Sequence, residues 1–253
     1  MTRKIIPAIL LMLVLSATGW SQLVENIAQE PCCRNWLARG VAQSLDDWAQ
    51  LSRYAADNAR LEAQPVPAGR VVFMGDSITD FWNLAKYFPG KPYVNRGISG
   101  QTTPQMLVRM FPDVIGLHPA AVIILAGTND IAGNTGPETA KMIEDNLQAM
   151  TELAQAHGLK VILCSMTPVN DYTKYKQTPH RPPADILRIN DWIRAYAEKS
   201  GAIFADYYAA TVDSRGMYTE SYSRDGLHPS DEGYTVLARV AEKAIAQALG
   251  GQE

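Results

Sequence analysis

The amino-acid sequence predicts an α/β fold, a parallel sheet covered by helices on both faces. Two observations carry that expectation. Five short apolar runs, "RVVFM", "PYVN", "AAVIILAG", "KVILCS" and "AIFADY", recur along the chain, and segments of helical periodicity separate them. Continuous apolar runs mark strands buried on both faces, and alternation with helices is how parallel neighbours are connected. The 253 residues at 47% hydrophobic composition suffice for one sizeable core. One main domain is therefore expected over residues 67–250, preceded by segments 1–21 and 22–66.

The elements follow in order. "MTRKIIPAILLMLVLSATGWSQ" places Arg3 and Lys4 before an apolar run from Ile5 to about Leu15, then small residues at Ala17, Gly19 and Ser21. That is the order of an export signal, and the run is short for a bilayer span. The protein is thus expected outside the cytoplasm, periplasmic or secreted, with residues 1–21 removed and no integral membrane span left. From about Asn35 to Leu61, the residues Val41, Leu45, Trp48 and Ala55 recur at helical spacing and predict a helix packed on the domain, until "EAQPVPAG" interrupts it. Thr103 and Pro104 open a helix after the second strand. Pro137 starts another, with Ile143, Leu147, Met150 and Ala154 on one stripe and Gly158 as its stop. Ile186, Ile189, Ile193 and Ala197 mark a third. Ser230, followed by Asp231 and Glu232, caps the last, which runs to about Leu249.

Composition excludes several function classes. Lys and Arg number 23 against 26 acids, a formal charge of -3, with no basic block and no Gly-rich phosphate loop, so nucleic acid is not an expected partner. His118, His157, His180 and His228 are scattered, and no Cys/His spacing suits zinc; neither a metal nor a cofactor is expected. Cys32 or Cys33 can pair with Cys164, or Cys164 can be a buried free thiol. "AQEP" before Cys32 does not resemble a lipoprotein box.

In an open parallel sheet, ligands bind outside the carboxyl ends of the strands, and Ser77, Gly100, Asn129 and the loop after Cys164 fall at such ends. "VVFMGDSITD" runs from strand to helix, where Ser77 can cap the helix or act as a nucleophile. A nucleophilic serine needs a base and a group that orients the base. "SRDGLHPSDEGY" offers both, Asp225 and His228, three residues apart across a turn. A developing oxyanion needs donors, which Gly100 in "NRGISGQTT" and Asn129 in "LAGTND" can supply. Ser99 fails as an alternative nucleophile, because Gln101 stands where the elbow of other α/β esterases requires glycine. Asp76 reads as a structural turn residue and His180 as surface or substrate-facing.

Taken together, "GDSI", "NRGISGQTT", "GTND" and "DGLHP", in that order between Val71 and Pro229, resemble the four blocks of the SGNH hydrolase superfamily, the GDSL esterase/lipase family. Ile78 stands where the family's name has Leu. The resemblance implies a flavodoxin-like three-layer α/β/α sandwich with five parallel strands, with the N-terminal helix outside that core. It also implies Ser77 as nucleophile, His228 as general base, Asp225 as its orienting carboxylate, and an oxyanion hole from the N–H groups of Ser77 and Gly100 with the Asn129 side chain. No cofactor is implied.

Members act on acetylated saccharides, lysophospholipids, aryl esters and thioesters. Among these, short acetyl-type esters on saccharides are expected, because the loop Thr167 to Pro183 is rich in Pro, Lys, Thr and Tyr and offers no acyl-chain surface. Tyr172 and Tyr175 are expected there to stack on a sugar while their hydroxyls stay hydrated. The alternatives are a lysophospholipase or thioesterase, an O-acyltransferase to a sugar hydroxyl, and a noncatalytic carbohydrate-binding module. The intact Ser77, Asp225 and His228 set argues against the last.

Overall fold

The structure, a computed structural model, describes residues 46–250. Residues 1–21, Cys32, Cys33, Val41 and Leu45 lie outside the described residues. Five parallel strands, β1 (Val71–Gly75), β2 (Tyr93–Gly97), β3 (Ala121–Leu125), β4 (Lys160–Cys164) and β5 (Ile203–Ala205), form one sheet in the order β2-β1-β3-β4-β5. This is the flavodoxin-like order, whose ligand crevice opens where the chain reverses direction, between the carboxyl ends of β1 and β3. The register aligns those ends: Gly75 lies beside Gly97 on one side and Leu125 on the other.

Alternation along each strand feeds two cores. Val72, Met74, Val122, Ile124, Val161 and Leu163 pack under α4 (Thr103–Asp113), α6 (Ala140–Ala156) and α7 (Pro183–Ser200), which contribute residues such as Met106, Leu147 and Ile189. Val71, Phe73, Ile123 and Ile162 face the opposite way. There they meet Ile78 from α2 (Ser77–Asp80), Leu84 from α3 (Leu84–Tyr87) and Tyr234, Leu237 and Ile245 from α9 (Asp231–Ala248). Two shorter helices, α5 (Thr128–Ile131) and α8 (Tyr207–Thr211), follow β3 and β5. The helix starts obey their caps: Thr102 and Gln105 form a capping box on α4, and Ser230 accepts from the Gly233 N–H on α9. Cys164 is buried and free among the described residues; its alternative partners Cys32 and Cys33 lie outside them.

The N-terminal helix differs from its prediction. α1 runs from Ser52 to Glu62; Trp48 precedes it and Ala55 is exposed, so neither marks its buried face. Polar side chains dock it instead. Asn58 donates to Asp113 and accepts from Arg96, Asp57 pairs with Arg96, and the Tyr54 hydroxyl donates to the Gly97 carbonyl. Hydrophobic periodicity cannot report a face that packs by hydrogen bonds.

Candidate active site

Gly97 makes the site's geometry feasible. A Cβ at that position would stand 2.1 Å from the Asp80 nitrogen, so only glycine lets α2 sit directly on the end of β2. Asp76 caps this helix by accepting from the Ile78 N–H at 2.9 Å, the structural role expected of it. Ser77 opens the helix, where its own N–H has no intrahelical acceptor. Its Oγ lies 2.9 Å from Nε2 of His228, and His228 Nδ1 lies 2.7 Å from Asp225 Oδ2. An ionised carboxylate only accepts, so the imidazole proton belongs on Nδ1 and the Nε2 lone pair faces the serine hydroxyl. This line of three groups can deprotonate the serine and carry the positive charge that results.

Local turns hold the line in place. Asp225 Oδ1 accepts from the N–H groups of Leu227 (3.0 Å) and His228 (2.8 Å), an Asx turn that orients the carboxylate. Gly226 adopts φ 88°, and a Cβ there would lie 2.1 Å from the Asn170 carbonyl oxygen, which locks this turn against the loop after β4. Burial opposes ionisation of Asp225, but bonds from the His228 ring and N–H and the imidazole charge outweigh it and hold the carboxyl well below the ordinary range. Asp76 shifts oppositely, pushed up to about 6 chiefly by burial, against the Ile78 bond and the charges of His228 and Arg181. Its Oδ2 is buried without a donor among the described residues.

The two other predicted donors converge on the same strand ends. Gly100 adopts φ 82° and accepts from Asn134 Nδ2 through its carbonyl at 3.0 Å, and Ile98 in the same loop bonds back to the Gly75 carbonyl. Asn129 Nδ2 donates to the Gln101 carbonyl at 3.1 Å, and its Oδ1 accepts from Arg181 Nη2 at 3.2 Å. A carbonyl can face only the amide's NH2, and a guanidinium only its oxygen, so these two bonds determine which way the carboxamide points. One Nδ2 hydrogen remains beyond the bond to Gln101.

Arg181 was not singled out by the sequence, because an arginine in a Pro-rich loop reads as solvated surface. It is buried instead, also donating to Thr128 Oγ1 and Gln177 Oε1. Next to Asn129 lies a second unforeseen feature, the neighbouring carboxyls of Asp130 and Glu138, each with one buried oxygen that finds no donor among the described residues. Asp130 Oδ1 accepts from the N–H and hydroxyl of Thr103, and Glu138 accepts from Thr135. Burial and then the Asp130 charge push Glu138 up to about 9, so the pair shares one proton at neutral pH.

The loop from Thr167 to Pro183 is less of a free wall than expected. Thr167, Val169, Asn170 and Arg181 are buried, while Thr173 reaches the Asp225 carbonyl at 3.4 Å. The Tyr172 hydroxyl is not simply hydrated; it donates to the Ser223 carbonyl at 2.8 Å and so ties the loop to the His228 turn. Tyr175 is exposed with the Lys174 ammonium over its ring. His180 lies in a turn, its N–H on the Gln177 carbonyl. A cleft of about 550 Å³, lined by Arg70, Phe111, His118 and His157 among others, lies at the strands' amino ends, away from Ser77. Among the described residues, no group of three or more His, Cys, Asp or Glu side chains could hold a metal, and no helix is long and apolar enough to cross a membrane.

Fold and site together define an ester hydrolase on a flavodoxin-like sheet. Residues 73–236 match the GDSL-like lipase/acylhydrolase family, and the chain belongs to it; it is a carboxylic ester hydrolase. It is similar to a protein of Bacteroides fragilis NCTC 9343 assigned as an acylhydrolase, at 41% identity and TM-score 0.75, covering 80% of this chain and 99% of that one. An acetylxylan esterase of Geobacillus stearothermophilus is 27% identical over 208 residues, 70% of this chain and 93% of that protein. YqeF, an uncharacterised lipoprotein of Bacillus subtilis, is 27% identical over 190 residues, 64% of this chain and 76% of that protein.

Proposed function

We propose that the protein is an exported serine esterase that removes short acyl groups, acetyl above all, from saccharide hydroxyls. The observation that carries the mechanism is the hydrogen-bonded line from Ser77 through His228 to Asp225, at 2.9 and 2.7 Å. Ser77 Oγ attacks the ester carbonyl while Nε2 takes its proton, and Asp225 stabilises the imidazolium. The Ser77 and Gly100 N–H groups and the Asn129 carboxamide stabilise the oxyanion. Collapse of the tetrahedral species expels the alcohol, which takes the proton from His228, and leaves an acyl-enzyme. Water, deprotonated by the same imidazole, then releases the acid and restores Ser77.

The acetyl preference rests on the polar loop with Tyr175 exposed, and the acetylxylan esterase relative supports it. Export rests on the order of residues 1–21, and the lipoprotein relative supports it. The test compares kcat/KM for acetyl, butyryl, octanoyl and palmitoyl esters of one alcohol. A maximum at acetyl is expected; a maximum at octanoyl or beyond overturns the short-acyl reading in favour of a lipase or lysophospholipase. Mass spectrometry of the exported protein should find an N-terminus near Gln22.

A further inference from the structure

Phe81 is the residue the mechanism leaves unexplained. It follows α2 one turn after Ser77, its N–H on the Ser77 carbonyl at 3.0 Å, so both share one side of that helix. The next residue, Trp82, accounts for itself as core, packed among Phe73, Phe88 and Tyr234. Phe81 remains 51% exposed. Its ring centre lies 5.4 Å from that of the His228 imidazole, and the Arg224 guanidinium stands 5.8 Å from the ring. Arg224 is exposed and makes no ion pair within 4 Å among the described residues; its charge acts on Asp231 at longer range, while Lys86 and Tyr87 bind that carboxylate directly. The Arg224 N–H bonds to the His228 carbonyl at 2.9 Å, so the cation and the base sit on one turn.

The reaction itself says which part of a substrate meets this surface. The His228 proton goes to the leaving oxygen, so the alcohol must lie on the imidazole side of Ser77. The carbonyl oxygen lies on the other side, toward Gly100 and Asn129. We propose that Phe81 and Arg224 form the subsite for the alcohol, an inference that rests on the serine-esterase reading above. The subsite takes a ring-shaped alcohol with an apolar face and an anionic substituent, the chemistry of a carboxylate-bearing sugar. The sugar's C–H face stacks on the exposed ring, and the guanidinium meets the carboxylate.

The experiment uses acetate esters of methyl glucoside and methyl glucuronoside, acetylated at the same hydroxyl, with ethyl acetate as the ringless reference. Phe81→Ala should lower the ratio of kcat/KM for either sugar ester to that for ethyl acetate by about fivefold to tenfold, and Phe81→Trp should preserve it. Arg224→Gln should lower the glucuronoside-to-glucoside ratio about threefold to fivefold, an effect that 0.5 M salt erases, as about expected for an exposed charge pair. Ratios unchanged in both variants overturn the subsite. A Phe81→Ala loss equal on all three esters also overturns it, reducing Phe81 to support for His228. The reading beneath fails separately, through turnover by a folded Ser77→Ala variant.

Discussion

At the scale of single residues, the proposed chemistry depends on three hydrogen-bonded side chains and on how one carboxamide is held. Ser77→Ala should abolish ester hydrolysis with little change in melting temperature, because the variant deletes one oxygen whose partner is the His228 ring and leaves the apolar core as it is. A folded variant with near-native turnover would end the assignment. Asp225, its carboxyl held below the ordinary carboxylate range, stays ionised well into acid and keeps its bond to the His228 ring there. Asn129→Ala should lower kcat roughly 100-fold to 1,000-fold, whereas a change confined to KM would make Asn129 a substrate-positioning group. On the proposed mechanism Arg181 would act through Asn129, whose amide oxygen its guanidinium binds and so orients. Arg181→Met should therefore lower kcat about tenfold to a hundredfold per active site titrated, and should cost nothing further in the Asn129→Ala background. An equal loss in both backgrounds would leave Arg181 with only a structural role.

At the scale of elements, the link between α4, α5 and α6 is the buried carboxyl pair, and it carries a definite pH signature. The folded state raises Glu138 to about 9, so above the ordinary glutamate range it holds a proton that the unfolded chain has released. Stability from this site is thus full below that range and is lost as pH rises toward about 9. Glu138→Gln keeps a donor for Asp130 and an acceptor for Thr135 without needing that proton. The variant's melting temperature should match the wild type near pH 4.5 and exceed it increasingly up to about pH 9, by roughly 2–4 °C for each kcal/mol recovered. A difference independent of pH in thermal melts would show that the pair does not share a proton. Gln retains the Thr135 bond, so loss of that contact would not explain the result.

At the scale of the whole molecule, what could be read from the sequence divides by the range of the interactions. The strands were legible because five runs buried on both faces leave continuous apolar stretches, and Ser230 was legible because capping acts over three residues. Asp225 and His228 were legible as a pair because one turn contains both. The docking of α1 was not, since Asn58, Arg96 and Asp113 meet across 38 to 55 residues, and no periodicity encodes that meeting. Arg181 was hidden for the same reason, its partner Asn129 lying 52 residues earlier. The longest of these networks also makes the sharpest stability test. Arg109, fully buried, pairs with Asp113 Oδ2, donates to Gln101 Oε1 and to the Arg96 carbonyl, while Asp113 Oδ1 receives Asn58 from α1. Removing the carboxylate strands a buried guanidinium, which costs about 3–5 kcal/mol. Asp113→Ala should therefore lower the melting temperature by roughly 10 °C. The pair's net contribution is much smaller than that loss, because burying both charges was itself unfavourable. Arg109→Met combined with Asp113→Ala should accordingly melt higher than Asp113→Ala alone, since no uncompensated charge remains. A double variant that melts lower than the single one would mean that Arg109 stabilises the fold chiefly through Gln101 and the Arg96 carbonyl, and not through Asp113.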